Sequence, residues 1–349
     1  MGGSYFAGLG LAAAAFVGAV SLASPQAQAI TYGEPDCTDL AQNIGCHHPN
    51  TVSLSGFRAP APGEAAEYVS FLRCSGSLLS KDDDRFIILT AGHCASAYLA
   101  GLQDGSLLDV GVSFDPKIER DIDPSRTVWS ANQFILGGKP VLTADYGPQG
   151  AQASNIQFDY AVIVFDVVAA QRFTEGGELV DLSNIDAIML PTQDYLLGKV
   201  SAKSPLLITA VGYGTGEAHA KPGEGGNAGG AVNSTEEFGE RWMTGLTAAF
   251  SFKGPESNLL TGSQNPARGY EGTCGGDSGG PLFYVDNGVE IQVGITSSGD
   301  AKCRASSIIA RTDSTRAVDF LACVKAGAEL ADIEACGCTS VDRQGECPE

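Results

Sequence analysis

The chain has 349 residues, with 41 Asp and Glu against 21 Lys and Arg, for a formal net charge of −20. Such acidity argues against nucleic acid and against a membrane surface as partners, because both select basic patches. A hydrophobic content of 43% is enough for a packed core, and 45 glycines with only 18% charged residues lean to a turn-rich all-β fold in one large or two modest domains. The N-terminal residues 6–22 are an apolar, Ala-rich run, followed by Ala27-Gln28-Ala29, a small-x-small cleavage signal. Residues 1–29 are therefore expected to be a signal peptide, although Met1 to Tyr5 lack the usual basic group, and the exported chain is expected to begin at Ile30. Ten cysteines, an even number, suit a disulfide framework in an extracellular or periplasmic setting.

Cys37 and Cys46 are close enough in sequence to close a small insert, and His47-His48-Pro49 beside them reads as a solvated loop. Ala59-Pro60-Ala61-Pro62-Gly63 is a Pro-rich surface insert. Lys81 to Arg85 reads as a hairpin tip leading into the strand Arg85–Thr90. Tyr160–Phe165 and Leu206–Val211 are further short apolar runs with β-branched residues. Eight glycines between Gly212 and Gly230 mark a surface loop; no strand-to-helix context supports a phosphate site there. Asp286-Asn287-Gly288 separates two strand-like runs and predicts a hairpin, with Val289, Ile291, Val293 and Ile295 on the buried face of its second strand. One helix is predicted, Asp313 to Lys325, with Val318, Leu321 and Val324 on one face.

Three segments carry chemistry: Leu89-Thr90-Ala91-Gly92-His93-Cys94, Phe158-Asp159-Tyr160-Ala161-Val162 and Gly272-Thr273-Cys274-Gly275-Gly276-Asp277-Ser278-Gly279-Gly280-Pro281. Amide hydrolysis needs a nucleophile, a base for its proton and a group that fixes the base's tautomer, and Ser278, His93 and Asp159 are candidates for these roles. Asp166, at the far end of the same strand, is the rival to Asp159. Gly276-x-Ser278-x-Gly280 also fits the nucleophile elbow of α/β-hydrolases, but those place the histidine after the serine, and all four histidines here (His47, His48, His93, His219) precede Ser278.

These segments resemble the chymotrypsin-like (trypsin-family) serine peptidases, most of all the bacterial secreted branch. Cys74-Ser75-Gly76-Ser77-Leu78-Leu79, Thr209 to Gly214, and Ser297-Ser298-Gly299 with Cys303 add agreement in the expected order. The resemblance implies two antiparallel Greek-key β-barrels with a C-terminal helix: residues 30–172, then 173–327, followed by a Cys-rich tail, 328–349, that it does not cover. It implies an oxyanion hole from the N–H groups of Gly276 and Ser278, and an ion pair between the Ile30 amine and Asp277. The substrate pocket maps to Gly272, Thr273, Ser297, Gly299 and Ser307. Gly272 stands where trypsin-like enzymes carry an Asp, so trypsin-like specificity is not expected; Ser307 stands in place of a common Gly and should make the pocket shallower, so small or medium apolar side chains are expected before the scissile bond. The map also pairs Cys74 with Cys94 and Cys274 with Cys303, and leaves three possible pairings for Cys323, Cys336, Cys338 and Cys347. The implied protein is a secreted monomeric serine endopeptidase with no cofactor or metal, acting on proteins or peptides and open to protein protease inhibitors. The alternative is a secreted binding or regulatory module on the same fold.

Overall fold

The computed structural model describes residues 33–39, 44–60, 69–118, 120–123, 126–129, 133–146, 156–167, 182–201, 203–214, 239–251, 254, 257–264, 272–300, 303, 305–342 and 347. The expected leader, Ile30, the end of the Pro-rich insert and most of the Gly-rich stretch lie outside these residues.

The first run of strands is β1 (Glu34–Pro35), β2 (Cys37–Asp39), β3 (Ile44–Cys46), β4 (Thr51–Arg58), β5 (Val69–Lys81) and β6 (Arg85–Thr90). Helix α1 (Gly92–Asp104) follows, then β7 (Asp109–Ser113), β8 (Arg120–Asp123), β9 (Arg126–Trp129), β10 (Lys139–Thr143) and β11 (Ala161–Asp166). The second run is β12 (Leu206–Gly212), β13 (Trp242–Phe250), β14 (Leu259–Ser263), β15 (Pro281–Asp286), β16 (Val289–Gly299) and β17 (Ser306–Arg311). The chain closes with α2 (Thr315–Ala326), α3 (Leu330–Glu334) and β18 (Gly337–Cys338).

Both large sheets follow one antiparallel plan. In the second, β12, β13 and β14 are successive neighbours, β15 returns beside β12, and β16 and β17 continue round until β17 meets β14. Six strands thus close into a barrel in Greek-key order. In the first, β4, β5 and β6 are neighbours, β7 returns beside β4, and β11 and β10 extend from β6. Val112 and Ile135 exchange two 2.8 Å hydrogen bonds and Gly138 N donates to Val110 O at 3.0 Å, so β7 reaches the segment entering β10 and the sheet curls on itself. The chain ends cross over: β1 pairs with β13 of the second sheet and β18 with β10 of the first.

The apolar runs explain the core. Phe86–Thr90 and Ala161–Phe165 are buried without interruption, so β6 and β11 are covered on both faces, and Phe86 stacks on Phe165 at 5.0 Å. The predicted hairpin forms, with Asn287 and Gly288 both at positive φ (52° and 82°), as a two-residue turn matched to strand twist requires. Its second strand departs from expectation. Val289 is exposed and Ile291 half-buried, whereas Gln292 through Ser297 are all buried because β16 passes between β15 and β17 into the interface of the two sheets.

Helix α2 begins two residues later than predicted. The Ser314 side chain caps it by accepting from Ala317 N, and Asp313 instead pairs with Arg311 at 2.8 Å. Its buried face is Ala317, Phe320, Leu321 and Val324, with Val318 only half-buried. Helix α1 was not predicted. His48, expected in a solvated loop, is buried between Asp36 and Glu290. The tail pairs as Cys323–Cys336 and Cys338–Cys347, and Cys37–Cys46, Cys74–Cys94 and Cys274–Cys303 pair as expected.

Candidate active site

Strand β6 ends at Thr90, Ala91 is extended, and α1 starts at Gly92, which places His93 in the helix's first turn. No side chain of the preceding residue caps this helix. Asp159, arriving just before β11, does so from a distance: its Oδ1 accepts from His93 N at 2.7 Å. A carboxylate there also meets the positive end of the helix dipole. The same carboxylate takes His93 Nδ1 at 2.9 Å on Oδ2, and the Ser297 hydroxyl at 2.5 Å. Asp159 is buried and the His93 ring is 34% exposed, so the acid is sealed while the imidazole still faces outward. Burial works against the imidazolium, but the charge and hydrogen bond of Asp159 outweigh it and raise the His93 pKa above its usual value. Asp166 is exposed at the other end of β11, away from this pair.

Ser278 lies on the turn from Cys274 to Gly280, closed by Asp277 N to Cys274 O (3.2 Å) and Gly280 N to Asp277 O (2.8 Å). Ser75 N on β5 donates to Ser278 O at 2.8 Å, and Cys94, next to His93, has its Sγ 3.7 Å from the same oxygen. His93 and Ser278 are thus brought to one place, though no hydrogen bond joins Ser278 Oγ to His93 among the described residues; Nε2 lies 3.6 Å from Cys94 Sγ. The turn depends on glycine. A Cβ on Gly279 (φ 84°) would sit 2.1 Å from Thr90 Oγ1 and 2.4 Å from Ser75 O. Gly276, at φ 97°, takes the left-handed conformation one residue before Asp277.

Asp277 is fully buried. Its Oδ1 accepts from Gly214 N and its Oδ2 from Cys274 N, both at 2.8 Å. Burial pushes its carboxyl up to about 8 despite these two donors. Ile30, its expected partner, lies outside the described residues.

Gly272, Thr273, Gly299 and Ser307 converge. Thr273 Oγ1 and Ser307 Oγ are 2.8 Å apart, and Gly299 pairs with Ser307 across β16 and β17. Ser297 turns its hydroxyl to Asp159. Gln264, which sequence reasoning missed, fills the space above Gly272: its Oε1 accepts from Thr273 N at 3.0 Å and its Nε2 donates to Thr273 O at 3.3 Å. A lone amide at the end of an apolar strand carries no sequence signal for this contact. Ser75 belongs to the segment that resembles the family before the His93 block, and its hydroxyl reaches both Gly276 and Tyr213. Among the described residues two groupings are dense enough for a metal, Cys74-His93-Cys94 and Asp36-Cys37-Cys46; each contains a disulfide and so offers no thiolate.

The Trypsin family model matches residues 256–321, which hold the Ser278 turn and the β16–β17 wall; His93 and Asp159 lie outside the matched segment. By its paired antiparallel sheets, its C-terminal helix and this match, the chain is similar to chymotrypsin-like peptidases. No curated protein matches it. Among solved structures, HL collagenase is similar at 17% identity, covering 81% of this chain and 94% of the collagenase, with a TM-score of 0.46.

Proposed function

We propose that the chain is a secreted serine endopeptidase that cleaves peptide bonds through Ser278, His93 and Asp159. The observation that carries this reading is the buried Asp159 carboxylate bound to His93 Nδ1, with the Ser278 turn hydrogen-bonded to the strand beside it. Asp159 fixes Nδ1 as the protonated nitrogen and leaves Nε2 as the base. Ser278 Oγ attacks the substrate carbonyl carbon as its proton passes to Nε2, and the carbonyl oxygen becomes an oxyanion facing Gly276 N and Ser278 N. The C–N bond breaks, His93 gives the proton to the leaving amine, and water releases the acyl group by the reverse steps. Catalytic hydrogen bonds often tighten only with substrate bound, and Ser278 Oγ must come within reach of Nε2 in that complex.

The same reading takes Ile30 as the active N-terminus, freed by removal of residues 1–29. Its ammonium would neutralise Asp277, whose burial otherwise disfavours the carboxylate. Gly272 supports a specificity other than for Arg or Lys, and export is supported by five disulfides. No helix among the described residues is long and apolar enough to cross a membrane. The test is intact mass of the secreted protein before and after a fluorophosphonate probe. The expected result is a chain starting at Ile30 that gains one adduct, lost in Ser278→Ala. An unlabelled, folded protein starting at Ile30 would favour a binding module instead; an unlabelled longer chain would favour a zymogen.

A further inference from the structure

We infer that Ser75, in the first barrel, is a positioning residue for the oxyanion-binding turn of the second; the inference rests on the peptidase reading above. Ser75 is wholly buried on β5, and each of its polar atoms is spent on a different part of the site. Its hydroxyl donates to Gly276 O and accepts from Tyr213 N, both at 3.0 Å. Its N–H donates to Ser278 O and its carbonyl accepts from Thr90 Oγ1, both at 2.8 Å. A single serine hydroxyl has one hydrogen to give, and here it is committed to the turn.

The consequence follows from what surrounds Asp277. Gly276 O and Ser278 O are held from the first barrel by the side chain and backbone of one residue, while the Asp277 carboxylate is held from Gly214. Gly214 follows Tyr213, whose amide is the group that Ser75 accepts from. The hydroxyl therefore ties the turn and the segment that holds Asp277 to a common point. Gly275 and Gly276 leave the turn many backbone conformations, and Gly276 already sits at positive φ. Only some of these conformations aim Gly276 N at a developing oxyanion, and the Ser75 bond selects among them. Thr90, on the other side, precedes His93 by three residues, so the nucleophile turn and the strand feeding the base share this residue.

The test compares wild type, Ser75→Ala and Ser75→Thr, each as the full secreted chain, with rates expressed per fluorophosphonate-titrated site. In Ser75→Ala the expected fall in kcat is roughly tenfold, less than the loss of a direct oxyanion donor. KM should be unchanged, affinity for a peptidyl trifluoromethyl ketone should weaken by the same factor, and the acid limb of the pH profile should not move. Ser75→Thr, which keeps the hydroxyl, should recover most of kcat. A loss confined to the titratable fraction, with kcat per site intact, overturns the inference and makes Ser75 a structural residue. So does a rise in KM alone, or a Ser75→Thr as slow as Ser75→Ala. If wild type itself neither labels nor hydrolyses peptides, the peptidase reading has failed rather than the role of Ser75 within it.

Discussion

Asp159 carries three donors on two oxygens: His93 N, His93 Nδ1 and Ser297 Oγ. An amide in its place has one acceptor oxygen and an NH₂ that must face a former donor, so the imidazole is no longer held with its proton on Nδ1. Asp159→Asn is therefore expected to lower kcat by roughly 10⁴-fold with the fold intact, as wrong-tautomer variants of such triads do. The pH profile gives a second reading. His93 must be neutral to act as base, and Asp159 raises its pKa, so the wild-type acid limb should lie above 6.5. In Asp159→Asn the favourable charge is gone and burial remains, so whatever activity is left should have its limb displaced to lower pH; an unmoved limb counts against Asp159 as the perturbing group. At this scale the sequence was most informative where a residue sits in a contiguous motif. His93 and Ser278 are embedded in six- and ten-residue blocks. Ser75, Gln264 and the hydroxyl of Ser297 act on partners 9 to more than 200 positions away, and no local pattern encodes such a contact.

Among the elements, those bounded by turns were legible and those with mixed faces were not. Strands β6, β11 and β12 are runs of apolar, β-branched residues, and the Asn-Gly hairpin has a backbone requirement that few residues meet. Helix α1 buries Gly92, Cys94, Ala95, Ser96, Tyr98, Leu99 and Gly101, a face so rich in small and polar residues that its 3.6-residue period is hidden. It stops at Gly105, which takes φ 76°. The tail from residue 328 offers a sequence reading little but its cysteines, yet its described residues brace this helix. Gln103 of α1 accepts from Val341 N at 2.9 Å and donates to Val341 O at 3.2 Å, while Val341 and Cys347 pack against Ala95, Leu99, Leu142 and Tyr146. Strand β18 adds to the edge of β10, and Cys338–Cys347 closes the strap over it. Replacing both cysteines by serine should cost about 2.5 kcal/mol of unfolding free energy for so short a loop. It should also speed amide hydrogen exchange in α1 more than in β12–β17. Uniform acceleration across both barrels would mean that the strap stabilises the molecule without bracing the His93 helix.

The two barrels and the N-terminal segment meet at a buried ionic cluster. Asp36 pairs with Arg241 at 2.7 Å and with His48 Nδ1 at 2.5 Å, and His48 Nε2 reaches Glu290 of β16 at 3.1 Å. Arg241 also donates to Thr51 O, Phe114 O and Tyr213 Oη, while the His48 ring stacks on Phe283 of β15 at 5.1 Å. One cluster thus binds the segment around Cys37–Cys46 to both sheets. Burial opposes a charge on His48, but the hydrogen bonds and charges of Asp36 and Glu290 prevail and raise its pKa to about 9. Unfolded, the same histidine titrates near 6.5. Between these values the folded protein holds a proton that the unfolded chain has lost, so stability must fall as pH rises. The contribution is complete below pH 6.5 and is lost as pH rises through about 9, a difference on the order of 3 kcal/mol. Other groups that titrate across this range, the buried Asp277 among them, are common to wild type and variant and drop out of the comparison. The informative quantity is therefore the difference between wild type and His48→Gln in denaturant midpoints measured from pH 6 to pH 9.5. Wild type should be the more stable at pH 6, and its advantage should shrink steadily towards pH 9. Parallel curves would show that His48 titrates alike in the folded and unfolded states, and an advantage that grows with pH would show that it is neutral when folded, with Asp36 balanced by Arg241 alone.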